Sequence, residues 1–209
     1  VWRPKKLERV KDEINNNPNV ILVCHDEWCV VDGVVDHRLR YGPTGEQLYE
    51  KLLFQGNRLS TSAVCLRKDI AIETSGFSER TDFVSAEDYE YWIRLSKIGE
   101  ILFIDDILGE WHVHDNTRDI DSHNIQRRAD AIISVMEYHL DLWLQEFPEA
   151  QKKVKRGRSI AWTYASRIFQ KDGMFPKASE YSKKAIYIYP FQWKSWAVLL
   201  LSLFRISRY

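Results

Sequence analysis

The chain has 209 residues, 44% of them hydrophobic and 29% charged, which is enough for one globular domain with its own core and a small appendage. Lysine plus arginine equals aspartate plus glutamate, so the basic excess typical of nucleic-acid-binding proteins is missing. The sequence holds no run of about eighteen apolar residues, which a membrane-spanning helix would need. Its three cysteines lack zinc-type spacing, which predicts buried thiols in a reducing compartment and hence a cytoplasmic protein.

The first part of the chain, residues 1–124, is predicted to be a mixed α/β region. Apolar periodicity and turn residues predict the following elements in chain order: a helix at 4–17, a fully buried strand at 20–24, a hairpin at 27–35 around Asp32-Gly33, a helix at 45–54, a strand at 61–67, a helix at 68–73 ended by Ser75-Gly76, a helix at 87–98, and strands at 101–104 and 108–113 separated by a turn at Asp105-Asp106.

The second part, residues 125–209, is predicted to be an α-helical appendage. Helices are expected at 125–147, 149–170, 176–187 and 192–209. The segment 162–190 resembles a single tetratricopeptide-like helical hairpin, although a stable array of such repeats needs about three copies. Aromatic and basic residues in 191–209 suit a helix lying on the inner face of the cell membrane, and equally a helix that covers the core of the appendage.

Two adjacent acids, Glu87 and Asp88, begin the predicted helix at 87–98. Carboxylates are stabilised at a helix N-terminus by the helix dipole and by free backbone N–H groups. An ionised carboxylate at the edge of a cleft can act as a general base toward a hydroxyl. From local physics alone, ordinary first-turn helix acids are the more common interpretation.

The order of several short motifs resembles the second half of family 2 glycosyltransferases. That family has a strand with small polar residues, then an arginine, a G-G-F-D/E turn, an E-D-x-x-x-W-x-R helix, and a strand ending R-x-H. The corresponding segments here are 57–68, Ser75-Gly76-Phe77-Ser78-Glu79, 87–95 and 111–116. This chain has serine for the first glycine of the turn and His112 in place of the arginine of R-x-H.

The resemblance implies a partial GT-A mixed sheet and a role for each matched residue. Asp88 is expected to be the general base of an inverting transfer, and Glu87 to hold the acceptor or orient that base. Ser62, Trp92 and Arg94 are expected at acceptor or donor binding positions. Trp92 is also expected to pack beneath its helix, and Arg94 either to reach phosphate or to pair with a surface acid.

The resemblance also implies substrates and a cofactor. His114, and to a lesser degree His112, is expected to bind a divalent cation, Mg²⁺ or Mn²⁺, whose main ligands lie elsewhere. In the family the acidic D-x-D cluster is followed by a stretch similar to residues 1–8, so the cluster is expected immediately before Val1, together with the nucleotide-binding half. The donor is expected to be a nucleotide sugar, with a UDP-sugar favoured, and the acceptor a saccharide or lipid-linked glycan of the cell envelope.

Two alternatives remain open from the residues. One is a helical protein-interaction module, in which the hairpin at 162–190 binds a peptide and Asp88 has no role. The other is a metal-dependent hydrolase built on His112 and His114. The triplet Asp119-Ile120-Asp121 spells D-x-D but follows the histidine strand, so it is expected to be a solvated loop.

Overall fold

The computed structural model of the chain describes residues 1–42, 47–113 and 122–207 and has a mixed α/β architecture. Within those ranges the chain forms one four-stranded mixed sheet and eight α-helices. These elements are, in chain order, α1 (Lys6–Asn16), β1 (Val20–Val31), β2 (Val34–Leu39), α2 (Leu48–Gln55), β3 (Val64–Leu66), α3 (Lys68–Glu73), α4 (Glu87–Leu95), β4 (Glu100–Val113), α5 (Ser122–Glu146), α6 (Gln151–Lys171), α7 (Phe175–Ile188) and α8 (Trp193–Leu203).

The chain divides into two compact units. The sheet unit comprises Val1–Leu52, Asn57–Ser78 and Tyr91–Ile120, and the helical unit comprises Leu53–Gly56, Glu79–Glu90 and Asp121–Tyr209. The boundary that the sequence predicts at residue 124 lies close to the last change of unit, and two short earlier segments also group with the helical unit. Helix α4 contributes its first turn to the helical unit and the rest of its length to the sheet unit.

Strand β1 is the centre of the sheet. Strand β4 runs parallel to it along its length, whereas β2 and β3 pair antiparallel with its two ends. Because a strand has only two edges, β2 and β3 share the edge opposite β4. The predicted hairpin is confirmed: Asp32 and Gly33 connect β1 to β2, both with positive φ, as a tight two-residue turn requires.

The prediction of two short strands separated by a turn at Asp105-Asp106 is wrong. Both acids lie inside the single long strand β4, whose pairing with β1 skips them, so they form a bulge. Arg9 Nε donates a hydrogen bond to Asp106 Oδ2 at 2.8 Å, and Arg38 bonds Asp105. Residues that would favour a turn therefore form a bulge here, and arginine side chains bind the two acids of that bulge.

The core of the sheet unit contains the residues that β1 contributes. Val20 and Val23 pack with Val10 of α1 and with Ile104 and Leu108 of β4, and all five are buried. Strand β1 is buried along nearly its whole length, as its continuous apolar run predicts. This burial makes the polar residues in its middle unusual.

Small residues fill the contact between α6 and α7 in the helical unit. Ser166 Oγ donates to the Ala178 carbonyl at 2.6 Å and lies 2.7 Å from Ser182 Oγ. Ser159 Oγ donates to the Ala185 carbonyl at 2.8 Å. Short side chains that bond to the facing backbone let the two helices approach closely, so the predicted pair of helices is confirmed; its likeness to a tetratricopeptide unit stays a prediction.

Several predicted bounds change in the structure. The predicted strand at 61–67 is a 3₁₀ turn, Thr61–Ala63, followed by the short strand β3. Helix α4 ends at Leu95, three residues before the predicted end, because the Lys97 and Ile98 amides bond three residues back, and Ile98 is exposed. Helix α8 ends at Leu203, and residues 208–209 of the predicted helix lie outside the described residues. No helix in the described ranges combines the length and apolar character needed to cross a bilayer.

Candidate active site

The first turn of α4 carries the two acids singled out in the sequence. Glu87 and Asp88 are both partly exposed. A Glu87 carboxylate oxygen accepts a hydrogen bond from the Ser85 N–H, and Asp88 Oδ1 accepts one from the Tyr89 N–H at 2.7 Å. Ser85 has a φ of 86°, a left-handed conformation that is unusual for serine and turns the chain sharply into the helix. The two carboxylates therefore stand at a helix N-terminus, where negative charge is favoured.

Within the helical unit, a buried contact between Glu90 and His139 lies at the turn that carries these acids. Glu90 Oε1 lies 3.5 Å from Nε2 of His139, and both side chains are only 3% exposed. The guanidinium of Arg80 lies over the rings of Phe83 and Tyr138, 4.2 and 4.7 Å from their centroids. These contacts tie the segment Glu79–Glu90 to α5, which limits the freedom of Asp88. Sequence reasoning missed this pair, although the position of Glu90 on the apolar side of α4 was a signal for it.

In the sheet unit, the remainder of α4 is fastened by Arg94 and by aromatic packing. Arg94 Nη1 and Nη2 donate to the carbonyl oxygens of Thr74 and Gly76 at 2.9 and 2.6 Å, which holds the predicted serine–glycine turn. Trp92 is 2% exposed, and its ring lies 5.6 Å from that of Tyr91 and 6.2 Å from that of Phe77.

The burial of Trp92 corrects its assignment to acceptor or donor binding. A ring that is 2% exposed has no face open to a sugar, so packing beneath the helix, the other expectation, is the role that its contacts support. Arg94 donates to two backbone carbonyls, and its pairing with a surface acid, the other expectation, stays a prediction. Phosphate binding by Arg94 stays a prediction.

Ser62 belongs to a buried polar cluster that the sequence did not reveal. Its hydroxyl donates to Glu27 Oε2 at 2.8 Å, and its carbonyl accepts from Lys6 Nζ at 2.8 Å. Tyr41 donates to the same Glu27 oxygen at 3.0 Å. Glu27 and Lys6 are each 1% exposed, and burial lowers the pKa of Lys6 and raises that of Tyr41. The middle of the apolar strand β1 thus carries a carboxylate that side chains from three other segments surround.

Part of this cluster has no hydrogen-bond partner among the described residues. Glu27 Oε1 and His25 Nε2 are both buried, and neither has a hydrogen-bond partner within those residues. Both side chains lie against Gly109, where a Cβ would stand 2.9 Å from Glu27 Oε1 and 3.3 Å from His25 Cε1. Burial lowers the pKa of His25, so its ring is neutral at pH 7. The absence of a side chain at Gly109 leaves room for these two polar atoms.

The predicted metal ligands are only partly described. His112 lies on β4, with Nε2 3.0 Å from Glu110 Oε2 on the same strand face. His114 and the triplet at 119–121 lie outside the described residues. In the part of the chain that the structure describes, His112 belongs to no group of three metal-ligating side chains; the group with ligand spacing is Cys29, Asp36 and His37. The divalent cation site stays a prediction that needs further ligands.

The predicted site residues fall in both units. Ser62, Trp92, Arg94 and His112 belong to the sheet unit, whereas Glu87 and Asp88 belong to the helical unit. Helix α4 carries four of the six on one continuous element.

Comparison with protein-family models gives no match for this chain, and comparison with curated protein sequences gives none either. The resemblance to family 2 glycosyltransferases therefore rests on the ordered sequence motifs alone.

Proposed function

We propose that this chain supplies the acceptor side of an inverting GT-A glycosyltransferase, with Asp88 as the general base that deprotonates the acceptor hydroxyl. The observation that carries the proposal is the placement of two partly exposed carboxylates on the first turn of an anchored helix. Inversion follows from a single base acting on the acceptor, which attacks the anomeric carbon opposite the leaving diphosphate.

The contacts that hold α4 would also position Asp88 as a general base. Positioning a reacting group within a fraction of an ångström contributes a large share of a catalysed rate. Glu90, two residues after Asp88, is buried against His139 of α5, and the Arg94 bonds fix α4 further along. Glu87 bonds the backbone of Ser85, so its role is to shape the turn and to orient the acceptor through its exposed face.

The donor in this proposal is a UDP-sugar, and the acceptor is a saccharide or a lipid-linked glycan. A divalent cation, Mg²⁺ or Mn²⁺, would neutralise the leaving diphosphate. His112 with Glu110 offers two donor groups of the kind that such an ion accepts, and the ion would need further ligands. Asp88 acts on the acceptor proton and has no part in holding that ion.

The test is a transfer assay on the protein as its gene encodes it. UDP-glucose, UDP-galactose and UDP-N-acetylglucosamine serve as donors with Mn²⁺ and octyl glycosides as acceptors, and UDP release and product anomer are measured. Asp88→Asn keeps the shape and removes the base, so kcat is expected to fall by about 10²- to 10⁴-fold. The product is expected to have the inverted anomer.

The matched control is Glu149→Gln, which removes an exposed carboxylate of the helical unit outside the matched motifs and is expected to leave kcat unchanged. The 209 residues alone are expected to give no transfer. The proposal fails if Asp88→Asn transfers as fast as the unchanged chain, or if no UDP-sugar of the panel supports transfer.

A further inference from the structure

Helix α8 exposes its large apolar side chains. Trp193, Trp196, Leu200 and Leu203 are 69%, 47%, 54% and 62% exposed. Their spacing of three, four and three residues places them on one stripe along the helix. A helix of a globular protein normally turns such a stripe toward the core, so the orientation of α8 is reversed.

The opposite side of α8 already packs against the helical unit through small residues. Ser195, Val198 and Ser202 are 0%, 4% and 2% exposed. Ser195 Oγ lies 2.7 Å from Thr163 Oγ1 of α6. Because the small face holds the helix in place, the apolar stripe is not needed for packing within this unit.

Exposed aromatic residues also flank α8 in the sequence on both sides. Phe191 and Phe204 are 83% and 74% exposed, and Tyr187 at the end of α7 is 91% exposed. The Trp196 indole N–H donates to the Pro190 carbonyl at 2.8 Å, so the polar group of this half-exposed ring already has a partner. We call these residues and the α8 stripe the C-terminal apolar face. Tryptophan and tyrosine favour the boundary between water and lipid, where an apolar ring and a polar tip are both satisfied.

The charge of the same region selects one kind of partner. No aspartate or glutamate occurs after Glu180, whereas the following 29 residues contain five basic residues: Lys183, Lys184, Lys194, Arg205 and Arg208. The whole chain is neutral, so positive charge is concentrated here. Lys184 pairs with Glu180 at 2.9 Å, so the net positive charge of this segment comes from its other basic residues. A segment that combines an exposed apolar stripe with net positive charge complements a surface that is apolar below and anionic above.

We propose that the C-terminal apolar face docks on a membrane surface that contains anionic lipids, with α8 lying in the interface plane. The inference does not rest on the proposed function, because it uses none of the residues assigned to sugar transfer. It specifies the sequence-based expectation for 191–209: the small face of α8 covers the helical unit, and the apolar face of the same helix meets the lipid.

The experiment is co-sedimentation of the whole chain with vesicles of phosphatidylcholine alone and of an equal mixture of phosphatidylcholine and phosphatidylglycerol. The triple variant Trp193→Ser, Leu200→Ser, Leu203→Ser is expected to lose at least tenfold in affinity for the mixed vesicles. Lys183→Gln with Lys194→Gln is expected to weaken binding about fivefold for each charge removed and to reduce its salt dependence.

The matched control replaces three exposed apolar residues of the sheet unit, Val34→Ser, Val35→Ser and Ile72→Ser, and is expected to bind like the unchanged chain. Circular dichroism of the α8 variant checks that it keeps its helices. Equal binding by the folded α8 variant overturns the proposal. Failure of the unchanged chain to bind mixed vesicles also overturns it, and a dimer seen by sedimentation equilibrium that the α8 variant abolishes would assign the face to self-association instead.

Discussion

Replacing Arg94 tests whether the backbone contacts of α4 hold this part of the sheet unit together. Arg94→Ala removes two hydrogen bonds, of 2.9 and 2.6 Å, and leaves the Thr74 and Gly76 carbonyls to water. A hydrogen bond from a charged donor contributes about 1.5–3 kcal/mol, and the partial exposure of Arg94 reduces that amount. We therefore expect the free energy of unfolding to fall by about 2–3 kcal/mol. With a slope of about 2 kcal/mol per molar urea, the midpoint falls by about 1 M.

Equilibrium urea unfolding of three variants gives the answer. Arg94→Lys is expected to lie between the unchanged chain and Arg94→Ala, because the three donors of an ammonium share one nitrogen whereas the guanidinium fork spans two carbonyls. Arg156→Ala, on the exposed side of α6, is the matched control and is expected to change stability by less than about 0.5 kcal/mol. If Arg94→Ala is as stable as this control, the two carbonyl bonds contribute nothing, and phosphate binding becomes the better account of Arg94.

Two further predictions concern the cores of the two units. Gly157→Ala is expected to destabilise the chain by about 1 kcal/mol in urea unfolding: its Cβ would stand 2.6 Å from Leu140 Cδ2 and 3.0 Å from Phe54 Cε1, and this overpacking outweighs the gain in helix propensity of about 1 kcal/mol. A rise in stability would mean that the site is open. Because burial lowers the pKa of His25 from 6.5, the unfolded state takes up a proton first as the pH falls, so stability should decrease below about pH 6.5. Urea unfolding at pH 7 and pH 5 should show a smaller decrease in His25→Asn, and an equal decrease in both proteins would contradict the assignment.

Local patterns along the chain determined most of the secondary structure. The apolar run at 20–24, the Asp32-Gly33 turn and the helical spacing after residue 125 each act over a few neighbouring residues, so the sequence predicted these elements correctly. The same locality explains the placement of Glu87 and Asp88 at the start of α4. It also explains the error at Asp105-Asp106: paired acids favour a turn locally, and only pairing with β1 shows that they form a bulge inside one strand.

Contacts between distant residues decided the rest. Three of these contacts join positions that lie 18 to 49 residues apart in the chain. They are the Ser62–Glu27 bond, the Glu90–His139 pair and the bond from Arg94 to the Gly76 carbonyl. No sequence period reports such pairings, because each depends on how the sheet and the helices pack. The sequence gives the composition of α8. Which side of that helix is exposed depends on tertiary packing, in which its small residues, such as Ser195 against Thr163 of α6, are buried. Sequence therefore determined which groups are present, and tertiary packing decided which of them are buried, bonded or exposed to a partner.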